Sequence, residues 1–103
     1  MVYKVVMEDL ATSDLRGILS YITKTLKEPV VAKRVYHSIK EKIKTLDQNP
    51  HRCKVVEIQP FHALGVRRLL AENYSAFFVI DEESKTAHVL RVVYNRRDWQ
   101  NLL

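Results

Sequence analysis

The sequence predicts a single small α+β domain of order β-α-α-β-β-β, with a helical hairpin packed on one face of a mostly antiparallel sheet and a short C-terminal tail. Three observations carry this. Apolar residues recur at helical spacing through two consecutive segments between positions 8 and 46. After Pro50 the pattern changes to short β-branched runs joined by hairpin-length links. Finally, 103 residues can bury one core but not two, so the whole chain, 1–103, reads as one domain. Hydrophobic residues at 47% and charged residues at 28% exclude disordered and fibrous classes.

The elements follow in order. Val2-Tyr3-Lys4-Val5-Val6-Met7 is short and β-branched, a first strand. From about Glu8 to Leu26, the residues Leu10, Ala11, Leu15, Ile18, Leu19, Ile22 and Leu26 return every three or four positions, which makes an amphipathic helix. Lys27-Glu28-Pro29 is a tight connection, and Pro29 suits the first turn of a second helix because its missing N–H would have no helical partner there. Ala32, Val35, Tyr36, Ile39, Ile43 and Leu46 form the second stripe, ended by Asp47-Gln48-Asn49-Pro50. Strands are expected over Val66–Ala71, Tyr74–Ile80 and Thr86–Tyr94, linked by Glu72-Asn73 and by the polar stretch Asp81–Lys85. The tail from Arg96 to Leu103 offers Trp99, Leu102 and Leu103 for docking.

If the hairpin covers one sheet face, the other stays open. Strict alternation along the last strand groups Val89, Arg91 and Val93 on one face and His88, Leu90, Val92 and Tyr94 on the other. An unpaired guanidinium is costly to bury, so the Arg91 set is assigned to water or a ligand and the His88 set to the core.

Seventeen Lys and Arg against twelve Asp and Glu give +5 and favour an anionic partner, whether nucleic acid or an acidic protein, although solubility alone explains so modest an excess. The apolar runs are too short to span a bilayer and no charged segment followed by an apolar one opens the chain, so no membrane partner and a cytoplasmic location are expected. Cys53 stands alone, outside any metal-ligand spacing; this fits a reducing compartment and implies no metal and no cofactor.

Four stretches together resemble the RelE/ParE superfamily of type II toxin–antitoxin toxins. They are Leu10-Ala11-Thr12-Ser13-Asp14-Leu15 leading to Ile18, Tyr21 and Ile22; Ile43 through Leu46 to Asn49-Pro50; Gly65-Val66-Arg67-Arg68-Leu69 with Asn73-Tyr74 and Phe77–Asp81; and Val89 through Tyr94 to Asn95-Arg96-Arg97-Asp98-Trp99. They span nearly the whole chain in the family's order. Phe78 and Tyr94 depart from it, standing where relatives often carry a tyrosine and a histidine.

The resemblance implies a growth-inhibiting toxin neutralised by a cognate antitoxin, with one of two activities. RelE-like members cleave messenger RNA on the ribosome without a metal; ParE-like members poison DNA gyrase and are not enzymes. A catalytically silent binding module on the same fold is a third reading. The sequence reading leans to the ribosome-dependent endoribonuclease. Such chemistry needs proton donors and acceptors around the 2′-hydroxyl and cations on the phosphorane. Arg67, Arg68, Arg91 and Tyr94 are the catalytic candidates; Arg96, Arg97 and Trp99 are candidates for holding nucleic acid or the target. His88 or His62 offers titration near neutrality. Each has a plainer role: surface ion pairs for Arg67 and Arg91, a structural hydrogen bond for His88, a cap on the sheet for Tyr94, and a tail anchor for Trp99. Lys33, His37, Lys40 and Lys44 make a helical stripe, read as a solvated face in preference to a contact with ribosomal RNA.

Overall fold

A computed structural model describes residues 2–103. Its sheet has the order β1-β4-β3-β2, where β1 is Lys4–Met7, β2 Arg67–Ala71, β3 Tyr74–Asp81 and β4 Thr86–Tyr94. The two hairpins β2–β3 and β3–β4 are antiparallel, as their short links require. The first strand lies parallel to the last, with Lys4 opposite Thr86 and Met7 opposite Val89, so the sheet is mixed. Two helices on one face, α1 (Asp9–Ser20) and α2 (Pro29–Lys44), complete the expected β-α-α-β-β-β order.

The helices bury the stripes read from the sequence. Ala11 and Leu15 of α1 and Ala32, Val35, Ile39 and Ile43 of α2 meet Leu69, Ala76, Phe78, Ala87, Val89 and Val92 of the sheet in one core. Phe78 is fully buried there, so its departure from the family pattern concerns packing and not surface chemistry.

The first helix does not stay an α-helix to Leu26. Tyr21–Thr25 widen into a π turn, in which the Leu26 N–H donates to the Tyr21 carbonyl at 3.1 Å and the Glu28 N–H to the Ile22 carbonyl at 3.0 Å. Lys27, at φ 57°, then reverses the chain into Pro29 at the start of α2. The turn that follows α2 is pinned by Arg52, whose guanidinium donates to the carbonyls of Thr45, Gln48 and Asn49 at 3.2, 2.9 and 3.2 Å.

Two expectations are corrected. The alternation in β4 fails because Phe77 pairs with Arg91 while Phe78 pairs with Val89, which leaves Leu90 as an extra residue in a β-bulge. The bulge reverses side-chain parity: Val89 and Val92 both face the helices, whereas Val93 belongs to the opposite side. His88 accordingly leaves the helix-side core, half-buried with Nδ1 3.6 Å from the Glu8 carboxylate. The second sheet face is not open either. Val56, Phe61 and Val66 from the long 53–66 connection, with Trp99, Leu102 and Leu103 from the tail, cover Phe77, Val79, Leu90 and Val93 in a second, smaller core.

Candidate functional site

Arg91 is the best-fixed charge in the molecule. Its Nε and Nη2 donate to the two oxygens of Asp14 at 2.8 and 2.9 Å, a bidentate fork. Its Nη1 donates to the Leu102 carbonyl at 2.8 Å, tying the tail to the same point. Asp14 also accepts the Val92 N–H at 2.9 Å; past the end of β1, this carboxylate takes the place of a strand partner on the edge of β4. The hydrogen bonds Arg91 donates to Asp14 are the chief cause that raises its pKa above the ordinary value. Both side chains are about four-fifths buried, at 20% and 17% exposure, so the Arg91 side chain does not face open water.

Beside this pair opens a largely apolar cleft of about 850 Å³ between α1, the start of α2 and the end of β4. Ile18 and Tyr21 form one wall, Val31 and Val35 another, and Tyr74 and Tyr94 the floor. Tyr94 stands edge-on to Tyr74 with ring centroids 5.5 Å apart and is 39% exposed. Burial pushes the Tyr74 hydroxyl above its usual range, and Tyr94 and Tyr21 add to the effect, so Tyr74 remains a neutral phenol. Arg97 is exposed on the rim, Arg34 on the opposite lip pairs with Glu72 at 2.9 Å, and Arg96 lies exposed in the turn beyond.

The remaining candidates sit elsewhere. Arg67 donates through Nη1 to the carbonyls of His51 and Cys53 at 3.1 and 2.6 Å, clamping the long connection to β2. Arg68 points to the second face: its Nε donates to Ser75 Oγ at 2.8 Å, and its guanidinium carbon lies 5.8 Å from the Phe77 ring and 6.0 Å from the Trp99 ring. Trp99 packs against Phe77 at 4.7 Å and Phe61 at 6.0 Å and so anchors the tail. Thus Arg91, Tyr94 and Arg97 share the cleft, while Arg68 and Trp99 belong to the other side of the sheet. His62 hydrogen-bonds the Val56 carbonyl at 3.0 Å. Among the described residues no three His, Cys, Asp or Glu side chains gather as metal ligands.

Sequence reasoning did not assign Asp14, Ser75 or Asn95. Ser75 is fully buried and donates to Asn95 Oδ1 at 2.5 Å while receiving Arg68, which makes a polar thread through the second core. A signal for Asp14 existed: an acid between Leu10-Ala11 and Ile18 borders the apolar stripe and needs a cation once the helix packs.

This architecture is that of the small toxins of type II toxin–antitoxin systems. Among solved structures it is similar to the chromosomal ParDE system from P. aeruginosa, with TM-score 0.75, 25% identity, and 90% of this chain covered against 96% of that one. The fold is shared with the RelBE2 toxin–antitoxin complex from Mycobacterium tuberculosis, at TM-score 0.65, 21% identity and coverage of 91% and 99%. It is shared also with the archaeal RelE–RelB complex from Pyrococcus horikoshii, at 0.56, 16%, 94% and 99%. No curated protein matches by sequence. The family model for the ParE toxin of type II toxin–antitoxin systems, parDE, matches residues 5–99, and the chain belongs to that family. No helix among the described residues is long and apolar enough to cross a membrane.

Proposed function

We propose that this toxin arrests growth as a ParE-like inhibitor of DNA gyrase, acting by binding without cleaving RNA, and that a cognate antitoxin silences it by occupying the cleft. One observation carries the reading: Arg91 directs all three guanidinium nitrogens at Asp14 and the Leu102 carbonyl, and Arg67 and Arg68 are each held by one nitrogen on the protein's own carbonyls and hydroxyl. They hold the fold together, whereas phosphorane stabilisation needs guanidinium groups free to meet a substrate. The family match to ParE supports the same choice over the ribosome-dependent ribonuclease. The cleft's apolar walls suit an amphipathic segment that orders as it binds.

Purified toxin added to a gyrase supercoiling reaction and to a translating extract tests this. The expected result is arrested supercoiling with intact transcripts, and Tyr94→Phe, which keeps the ring and loses the hydroxyl, inhibits as the parent does. Cleaved transcripts with normal supercoiling, or cleavage abolished by Tyr94→Phe, establish the ribonuclease instead. Tyr21→Glu, a charge placed on the exposed cleft wall, is expected to weaken antitoxin binding at least tenfold; unchanged affinity places the antitoxin elsewhere.

A further inference from the structure

The chain's excess positive charge is gathered in one segment. Residues 24–54 hold nine Lys and Arg against three Asp and Glu, a net +6, while everything outside them nets −1 out of the total +5. The centre of this region is the outer face of α2. Lys33, His37, Lys40 and Lys44 stand there at intervals of four, three and four residues, all exposed and turned away from the Ala32-Val35-Ile39-Ile43 stripe that meets the sheet. Only Lys44 of the four has an acid within ion-pair reach among the described residues, Glu41 at 3.2 Å on the same helix.

Helix stability does not explain the pattern. Cations at a helix C-terminus complement its dipole, which accounts for Lys42 and Lys44. Lys33 and Lys40 lie outside both terminal turns, so the dipole does not account for them. Solubility does not require the segregation either, since dispersed charges of both signs serve it as well.

We propose that the outer face of α2 binds the sugar–phosphate backbone of duplex DNA. At about 1.5 Å of rise per residue the stripe from Lys33 to Lys44 is about 16 Å long, with cations about 4.5–6 Å apart. A duplex strand presents a phosphate about every 3.4 Å of its axis, so the stripe faces four or five of them. Three of the four residues are lysines, point charges suited to backbone contact without base readout. Two rings stand on this side of the helix, and neither forms an extended stacking platform of the kind single strands use: Tyr36 is half-buried with the Lys40 ammonium 5.2 Å over its ring, and His37 meets Tyr36 edge to face at 5.7 Å. Rigid helix and lysine spacing together favour a duplex over single-stranded nucleic acid. This surface lies outside the cleft, and the proposal stands independently of the gyrase reading.

The test is fluorescence anisotropy with purified toxin and a labelled duplex DNA of arbitrary sequence. Micromolar binding is expected, weakening about 100-fold between 50 and 200 mM KCl, the release expected for about four phosphates. The variant carrying Lys33→Gln, Lys40→Gln and Lys44→Gln should lose most of that affinity and most of the salt dependence while still unfolding cooperatively with only a small drop in Tm, since all three side chains are exposed and only the Lys44–Glu41 pair and the Lys40–Tyr36 contact are removed. Lys4→Gln with Lys85→Gln, on the β1 edge of the sheet and outside the α2 stripe, should bind as the parent does. Equal binding by the triple variant overturns the proposal, as does competition by single-stranded DNA or polyglutamate at the duplex's own potency. Gyrase inhibition measured on the triple variant separates the two readings: DNA binding lost with inhibition kept removes neither, and gyrase left unaffected by the parent toxin refutes only the gyrase reading.

Discussion

Replacing Asp14 by Asn tests the bidentate pair that joins α1, β4 and the tail. The carboxylate accepts three hydrogen bonds, two from Arg91 and one from the Val92 amide. An amide has one acceptor oxygen, and its NH2 group must face a donor on one side or the other. Breaking a fully buried ion pair from one side costs about 3–5 kcal/mol. With both partners about a fifth exposed, solvent screening reduces this to about 2–3 kcal/mol. For a domain of this size that lowers Tm by about 10–15 °C. Thermal unfolding followed by circular dichroism measures it, and the cycle with Arg91→Met isolates the pair: Asp14→Leu with Arg91→Met should be more stable than the sum of the single losses predicts, by ~1 kcal/mol or more. A loss under about 0.5 kcal/mol for Asp14→Asn, or single effects that simply add, would refute the claim that this pair holds the three elements together.

Further outcomes follow from single sites. Gly17 lies inside α1 and an added Cβ meets nothing within 4 Å, so Gly17→Ala should raise stability by about 0.5–1 kcal/mol, read as a higher urea midpoint at unchanged slope. Trp99→Ala removes the tail's anchor on Phe77 and should cost about 2–3 kcal/mol, less than a fully buried tryptophan because the ring is partly exposed. The Lys85 hydrogen bond, opposed by desolvation and helped by His51 and Tyr3, holds the Glu82 carboxyl below its usual range. A depressed carboxyl stabilises the fold above its unfolded pKa and ceases to do so as pH falls through its folded one. The Tm gap between the parent and Glu82→Gln should therefore be open at pH 7 and close on acidification below the ordinary Glu range; a gap that widens in acid contradicts the assignment. Burial pushes the Cys53 thiol up, and the side chain is 8% exposed, so iodoacetamide should modify it at pH 7.5 only after denaturation, as mass spectrometry would register.

Periodicity made the helices and hairpins legible. Ala32, Val35, Ile39 and Ile43 repeat on one face, and Pro29 and Pro50 fall where helix chemistry places them, so α2 could be read almost to its ends. The family was legible because four motifs occurred in order, none specific alone. The covering of the second sheet face was not, since Val56, Phe61 and Val66 follow no period and acquire meaning only against Phe77 and Val93. Arg91 was read as an outward residue because its partner lies 77 positions away, and local sequence carries no record of so distant a carboxylate. The parallel docking of β1 on β4 was hidden for the same reason. The separation of the candidate arginines onto two faces follows from the bulge at Leu90 and from the inward turn of Arg67 and Arg68, events of register and packing that no spacing rule encodes.

The bulge makes β4 two half-strands spliced out of phase. Up to Val89, odd-numbered positions belong to the helix layer; from Val92 onward, even-numbered ones do. A library of substitutions across this strand should therefore show its tolerance pattern invert at Leu90, with hydrophobic demand moving from one parity to the other. Deleting Leu90 would leave Val89, Arg91, Val92 and Val93 alternating without a break, each in the layer it now occupies. A single missing residue is therefore expected to be tolerated better here than elsewhere in the strand, where it would carry the tail, the Asp14 partner and the floor of the cleft to the wrong side together.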